Sequence, residues 1–173
     1  IVTSSDFIST SYSHDYSRWA SVIRSYLVGC DDGRLMRVYS GSKGYYVEYY
    51  DSNFNLSESR TIDKELSLFG GFYAGKDAYY IVSGQNNPDE SADVECFRIT
   101  KYDKNWNRIT STGLYDCNTY SPFDVGSLRM TEASGYLFIR TAHEMYKTKD
   151  GYHHQANVTI QLDESTMKIT DSF

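Results

Sequence analysis

The sequence is short of positive charge, proline, long apolar runs and closely spaced cysteines, and most of these shortages close off a class of function. Lys and Arg number 17 against 23 Asp and Glu, for a formal net charge of −6 and a pI near 5.1. Such a balance lacks the basic footprint that nucleic acid or an anionic membrane surface requires, so neither partner is expected. No apolar run approaches the roughly 20 residues of a membrane-spanning helix, so no membrane insertion is expected. Cys30, Cys96 and Cys117 have no C-x-x-C spacing, which argues against a zinc ribbon or a redox motif. They read as buried free thiols, with one disulfide and a spare thiol as the alternative. No signal peptide is visible and Ile1 is not an initiator methionine, so the chain is expected to be processed, trimmed or part of something longer. No stretch combines a helical period with capping residues; at most His143–Lys149 is expected to make one helical turn inside a loop.

What the chain has in abundance is tyrosine, 17 of 173 residues, against 2 prolines. Aromatic and β-branched residues suit pleated, half-buried surfaces, and tyrosine also supplies amphipathic rings for binding. A length of 173 residues is one ordinary domain with room for a core.

The organising stretch is Lys101–Arg108, K-Y-D-K-N-W-N-R, because it recurs. Tyr49–Leu56 reads Y-Y-D-S-N-F-N-L, and Gln161–Lys168 reads Q-L-D-E-S-T-M-K. Each runs through alternating residues into an Asp, a polar turn, a large apolar residue (Phe54, Trp106, Met167) and another strand-like run. Asp51, Asp103 and Asp163 stand 52 and 60 residues apart, the span of a four-stranded β-propeller blade. The expected fold is therefore all-β and β-propeller-type, with about three four-stranded antiparallel blades.

Residues 1–173 form a single domain on this reading, with 1–7 a stray outer strand of a preceding blade. Blade 1 spans 12–62, blade 2 spans 63–114 and blade 3 spans 115–173. Blade 1 starts with a strand near Ser17–Ile23 and continues into Tyr26–Cys30. The longest loop is expected at Ala142–His154. Propellers usually close with four to eight blades, so the missing ones are expected from the same chain, a second copy or another domain.

The strings L-F-G-G-F-Y-A-G (68–75), G-Q-N-N-P (84–88), K-Y-D-K-N-W (101–106), P-F-D-V-G-S-L-R-M (122–130) and H-E-M-Y-K-T-K-D-G-Y-H-H-Q-A-N (143–157) carry a resemblance. Over roughly residues 12–173 the chain resembles a group of uncharacterised secreted or cell-surface β-propeller-like repeat proteins of Gram-positive gut bacteria. The resemblance implies an extracellular or cell-surface location and a surface binding role, and it implies no particular chemistry.

The motifs that suggest chemistry mostly fail on their spacing. The D-x-N-x-N runs imitate a calcium loop, which needs Gly at position six and Glu at twelve; Leu56 and Ile62, or Arg108 and Leu114, stand there instead. Asp and Asn more simply close hairpin turns, and the aromatic residue after the turn (Phe54, Trp106) is expected to pack between blades. His143-Glu-Met-Tyr-Lys147 lacks the second His of a zinc-protease helix. A looser metal site from His143 with His153 or His154 competes with a loop pinned by histidine hydrogen bonds, and no metal or cofactor is expected. Thr148–His153 resembles a sialidase Asp box one residue short, and Asp-Gly is a common hairpin pair. Gly70, Gly71 and Gly84 are not a phosphate loop; they are expected to permit close approach of backbone near a propeller axis. Asp15, Glu90, Asp124 and Glu144 are the candidate paired carboxylates, and no nucleophile-elbow pattern is present.

The unlike loops are the better place to look. In a four-stranded blade, the loop between strands two and three shares a face with the loop entering strand one. That face gathers His14, Tyr16, Gln85, Asn86, Asn87, Asn118, Tyr120, His143, Tyr152 and His153 as candidate ligand-binding residues, with Asp15 and Tyr146 beside them. Rings can lie on a sugar's apolar face while amides bond its hydroxyls. The expected function is a non-catalytic extracellular binding module for a glycan or a surface protein. The alternatives are part of a glycosidase or lyase completed by missing blades, and a structural assembly module.

Overall fold

The computed structural model describes residues 23–124, 126 and 128–173. The stray strand 1–7, most of the strand near Ser17–Ile23, and the candidates His14, Asp15 and Tyr16 lie outside the described residues. The described chain is all-β: thirteen strands and no helix. They form three antiparallel sheets in simple meander order, and no sheet among the described residues closes on itself. The chain divides into two compact units, one containing Arg24–Glu65 and the other Leu66–Phe173.

The first unit holds β1 (Ser25–Gly29), β2 (Leu35–Ser40), β3 (Tyr45–Tyr50) and β4 (Leu56–Ile62). Its first strand is the run expected as the second, and Leu35–Ser40 is a full strand rather than an extension. Asp31–Gly33 is the hairpin turn between them, with Gly33 at φ 83° and its N–H bonded to Cys30 O at 3.0 Å. The unit explains much of the tyrosine excess. Glu48 is wholly buried on β3, and a buried carboxylate needs partners. The hydroxyls of Tyr39 and Tyr50 donate to it at 3.0 and 2.7 Å, and Arg37 reaches it at 3.5 Å. Burial, then the Glu48 bond, pushes the Tyr50 phenol up to about 12, so it remains a donor. Eight of the described tyrosines are buried, so the excess serves the core more than an exposed binding face.

The second unit holds two sheets. One is β5 (Leu68–Ala74), β6 (Tyr79–Gly84), β7 (Phe97–Tyr102) and β8 (Arg108–Leu114). The other is β10 (Arg129–Ala133), β11 (Tyr136–Lys147), β12 (His153–Asp163) and β13 (Lys168–Ser172), with the short β9 (Ser121–Pro122) pairing against β11. That sheet therefore has five strands, not four. Beside β5 lies β10, and beside β8 lies β13. Between the sheets, Tyr80, Val82, Phe97 and Ile99 meet Leu137, Ile139, Val158, Ile160, Leu162 and Met167 in one core. At the turn end, Tyr80 donates to a Glu164 carboxylate oxygen at 2.9 Å and Lys101 Nζ to the Glu164 carbonyl at 2.7 Å.

The repeated Asp motif is a hairpin turn in all three sheets. Asp103 Oδ1 accepts the N–H groups of Asn105 and Asn107 at 2.8 Å each, while Trp106 N bonds Asp103 O at 3.0 Å. The large residue of each copy has positive φ: 61° at Phe54, 65° at Trp106 and 55° at Met167. A side chain in that region costs about 1–2 kcal/mol. Trp106 offsets this against Phe72, Tyr79 and Tyr102, whose ring centroids lie 5.5, 4.7 and 5.7 Å away, each such pair being worth about 0.5–1.5 kcal/mol. Met167 joins the core between the two sheets. The packing between blades expected of the aromatics does not hold for Phe54, which is 63% exposed, and the rings around Trp106 come from its own sheet.

Two expectations about Ala142–His154 are corrected. The segment is not the longest loop, and His143–Lys149 is not helical. β11 runs on to Lys147, the chain turns over Thr148–Tyr152, and β12 begins at His153. This arm pairs from Ala142 with Asn157 out to Lys147 with His153, with one register shift between Glu144 and Lys147.

Candidate functional site

The candidate site lies at the end of the second unit, where the 85–91 loop, the 115–121 segment and the β11–β12 arm converge. Strand alternation places His143 there. Leu137, Ile139, Thr141 and His143 are alternate residues of β11 and all are buried. His143 Nδ1 is 2.7 Å from Thr119 Oγ1, and burial pushes its pKa down, so the ring is held neutral. It is a hydrogen-bonded core histidine, not a surface ligand.

Asn87 is the hub of the loop and is wholly buried. Its Nδ2 donates to Ser91 O at 2.9 Å and to Tyr146 Oη at 3.0 Å, and its Oδ1 accepts from Ser91 N at 3.0 Å. Its backbone N–H donates to Tyr120 O at 2.8 Å, and Tyr120 N–H donates to Glu144 O at 2.8 Å. Three segments are thus laced together through main chain. Asn118, at φ 48°, accepts Tyr146 N–H at 3.2 Å. Gln85 Nε2 donates to Glu95 O at 3.1 Å, and Ser121 Oγ donates to Asn86 Oδ1 at 3.1 Å.

Above this lacing sits a ring platform. Tyr120 and His153 stack with centroids 3.8 Å apart and planes 24° apart. His153 Nε2 lies 2.9 Å from Glu90 Oε1, which also accepts Lys147 N–H at 2.9 Å. The Lys147 amide, then His153, hold the Glu90 carboxyl below its ordinary range, so it stays ionised. The Thr148–Tyr152 turn closes with Gly151 at φ 87° and Thr148 N–H on Tyr152 O at 3.0 Å. Asp150 is pushed down to about 2, chiefly by the Thr148 hydroxyl and the Tyr152 amide, so the would-be Asp box is a hairpin turn. Tyr152 is 70% exposed at its tip.

Eight of the ten candidates, Gln85, Asn86, Asn87, Asn118, Tyr120, His143, Tyr152 and His153, fall within the described residues, and these segments bring them to one end of the unit. Six of the eight spend side-chain groups on the backbone or on the neighbouring side chains of Ser121, Thr119, Tyr146 and Glu90, and the stack adds Tyr120. His153 and His154 diverge, the first to Glu90 and the second to Asp150 at 2.7 Å. Among the described residues no group of three His, Cys, Asp or Glu is arranged to hold a metal ion. Of the carboxylates, Glu90 is committed to His153, and Asp124 accepts Gln155 Nε2 at 2.8 Å.

Sequence reasoning named Glu90 only as a candidate carboxylate and Tyr146 only as a neighbour of the face, and it missed Thr119; all three fasten the site. The alternation of Ile139, Thr141 and His143 into the supposed loop was the available signal for the arm. Compared with known protein families and curated proteins, the sequence matches no family model and no curated protein.

Proposed function

We propose that this chain is a non-catalytic extracellular binding module of β-propeller type that holds a neutral glycan at the loop end of its second unit. The observation that carries the reading is the ring platform. Tyr120 and His153 are stacked and fastened through Glu90 to Lys147 N–H. A preformed aromatic surface loses little freedom when a ligand arrives. A sugar ring lies on such a surface by its apolar C–H face, while neighbouring amides and hydroxyls bond its edges. The exposed Tyr152 ring and the Asn86–Ser121 pair stand at the same end of the unit. The propeller part of the proposal rests on three meander sheets of like build, each with the Asp turn before its last strand, and on β5 lying beside β10 and β8 beside β13. Further blades would come from the same chain, a second copy or another domain.

A glycan array probed with the 173-residue chain tests the reading. Binding to neutral polysaccharide is expected, and Tyr152→Ala should weaken it by about tenfold, or about 1.4 kcal/mol, with an unchanged melting temperature. A blank array at high protein concentration would sink the proposal. Turnover of a bound polysaccharide would replace it with a catalytic reading.

A further inference from the structure

Behind the ring platform, where β7 begins and the chain leaves β8, two thiols come together. Cys96 is wholly buried and Cys117 is half-buried. Their segments run side by side: Cys96 N–H donates to Leu114 O at 3.0 Å and Asp116 N–H to Ala92 O at 3.2 Å. Both sulfurs then touch one residue. Cys96 Sγ lies 3.5 Å from Thr119 O, and Cys117 Sγ lies 3.3 Å from Thr119 Oγ1. Each thiol is the leading influence on the protonation of the other. The sulfurs are not equivalent. The neighbouring Cys96 thiol, with help from the Thr119 hydroxyl, lowers the Cys117 pKa despite its burial. The Cys117 thiol, and then burial, pushes the Cys96 thiol up. Cys30, in the other unit, has its thiol pushed up by burial.

We propose that Cys96 and Cys117 form a dithiol that closes to a disulfide by exchange with an external disulfide, Cys117 attacking first and Cys96 resolving. In the first step the Cys117 sulfur bonds to one sulfur of the incoming disulfide, whose S–S bond breaks and releases a thiolate. Cys117 attacks as its thiolate, having lost its proton to water; in the second step Cys96 gives its proton to the released thiolate and bonds to Cys117 Sγ, and the other half of the reagent leaves as a thiolate that takes up the proton Cys117 gave to water. The protein dithiol is oxidised by two electrons and the external disulfide is reduced to two thiols. The greater exposure of Cys117 and its lowered pKa favour it as the attacking group, and burial favours Cys96 as the resolving one. The closed bond would clamp the β7–β8 hairpin and fix Thr119, next to Tyr120, beneath the platform. This inference concerns the second unit's own thiols and does not depend on what the platform binds.

The test is to expose the reduced, folded chain to oxidised glutathione. Its intact mass should fall by two hydrogens, non-reducing peptide mapping should join Cys96 to Cys117, and Cys30 should still alkylate. The oxidised form should melt higher by roughly 10 °C, as expected when a bond closes a loop of this size. Cys96→Ser should stop at a single glutathionyl group on Cys117, and Cys117→Ser should leave Cys96 unreactive while folded. Cys96→Ala gives the same readout if the serine destabilises the core. Three alkylatable thiols after equilibration, a bond that includes Cys30, or a Cys96 in Cys117→Ser that reacts as fast as Cys117 in Cys96→Ser would each overturn the proposal. The mapping of the unmutated chain decides the pairing even if no variant folds.

Discussion

Phe123 takes φ 62°, and its ring lies over two glycines of the neighbouring sheet. A Cβ at Gly70 would meet a Phe123 ring carbon at 2.3 Å, and one at Gly84 would meet the ring at 2.8 Å and Cys96 O at 2.7 Å. The ring also stands edge-on to Phe97 with centroids 5.4 Å apart. Gly70→Ala should therefore destabilise the unit by about 1–3 kcal/mol through overpacking. Phe123→Ala should cost about 3–5 kcal/mol through the void it leaves. The double variant should cost clearly less than the sum, because each change relieves the other. Denaturant titration of the four proteins measures this, and strict additivity would contradict the contact. The glycines were legible in the sequence as points of close approach, but the partner was not. At Gly70 the approaching group is a phenylalanine ring from P-F-D at 122–124, and at Gly84 the same ring joins the backbone oxygen of Cys96.

Among elements, the Asp hairpin is the most sharply defined. Asp163 Oδ1 accepts the Ser165 and Thr166 N–H groups at 2.9 and 2.8 Å and the Ser165 hydroxyl at 2.7 Å. These bonds, the Ser165 hydroxyl foremost, hold its pKa at about 2, below the roughly 3.9 of an unfolded aspartate. A depressed folded pKa stabilises above the unfolded value, and the contribution is lost as pH falls through the folded one. Melting temperature should thus decline from about pH 4 toward pH 2, and Asp163→Asn should flatten part of that decline. Identical slopes for the two proteins would rule out this role. The recurrence of this turn made most strands legible, and Leu56–Ile62, Leu68–Ala74 and Arg108–Leu114 are strands over the expected residues. The β11–β12 arm was not legible, because Arg140, His143, Glu144 and Lys147 give it a loop-like composition. Its polar groups are satisfied by partners far along the chain, such as Glu90 for His153 and Thr119 for His143. Local patterning carries no record of such pairings, so the candidate residues were found by type while their bonding partners were not.

At the scale of the molecule, the second unit holds its own core between two sheets, with Phe97, Ile99, Leu137, Ile139, Ile160 and Leu162 wholly buried in it. Expressed alone, Leu66–Phe173 should melt in one cooperative transition, since cooperativity follows from a shared, close-packed core. A broad, non-cooperative melt of that fragment would refute the assignment. The same unit contains Trp106, clasped by Phe72, Tyr79 and Tyr102, while the other of the chain's 2 tryptophans is Trp19, which the fragment Leu66–Phe173 does not include. The fragment therefore has a single indole emitter, placed in the left-handed residue of a repeat-defining turn. Its fluorescence is a built-in optical gauge: a change in colour or quenching reports that one hairpin opening, with no label attached.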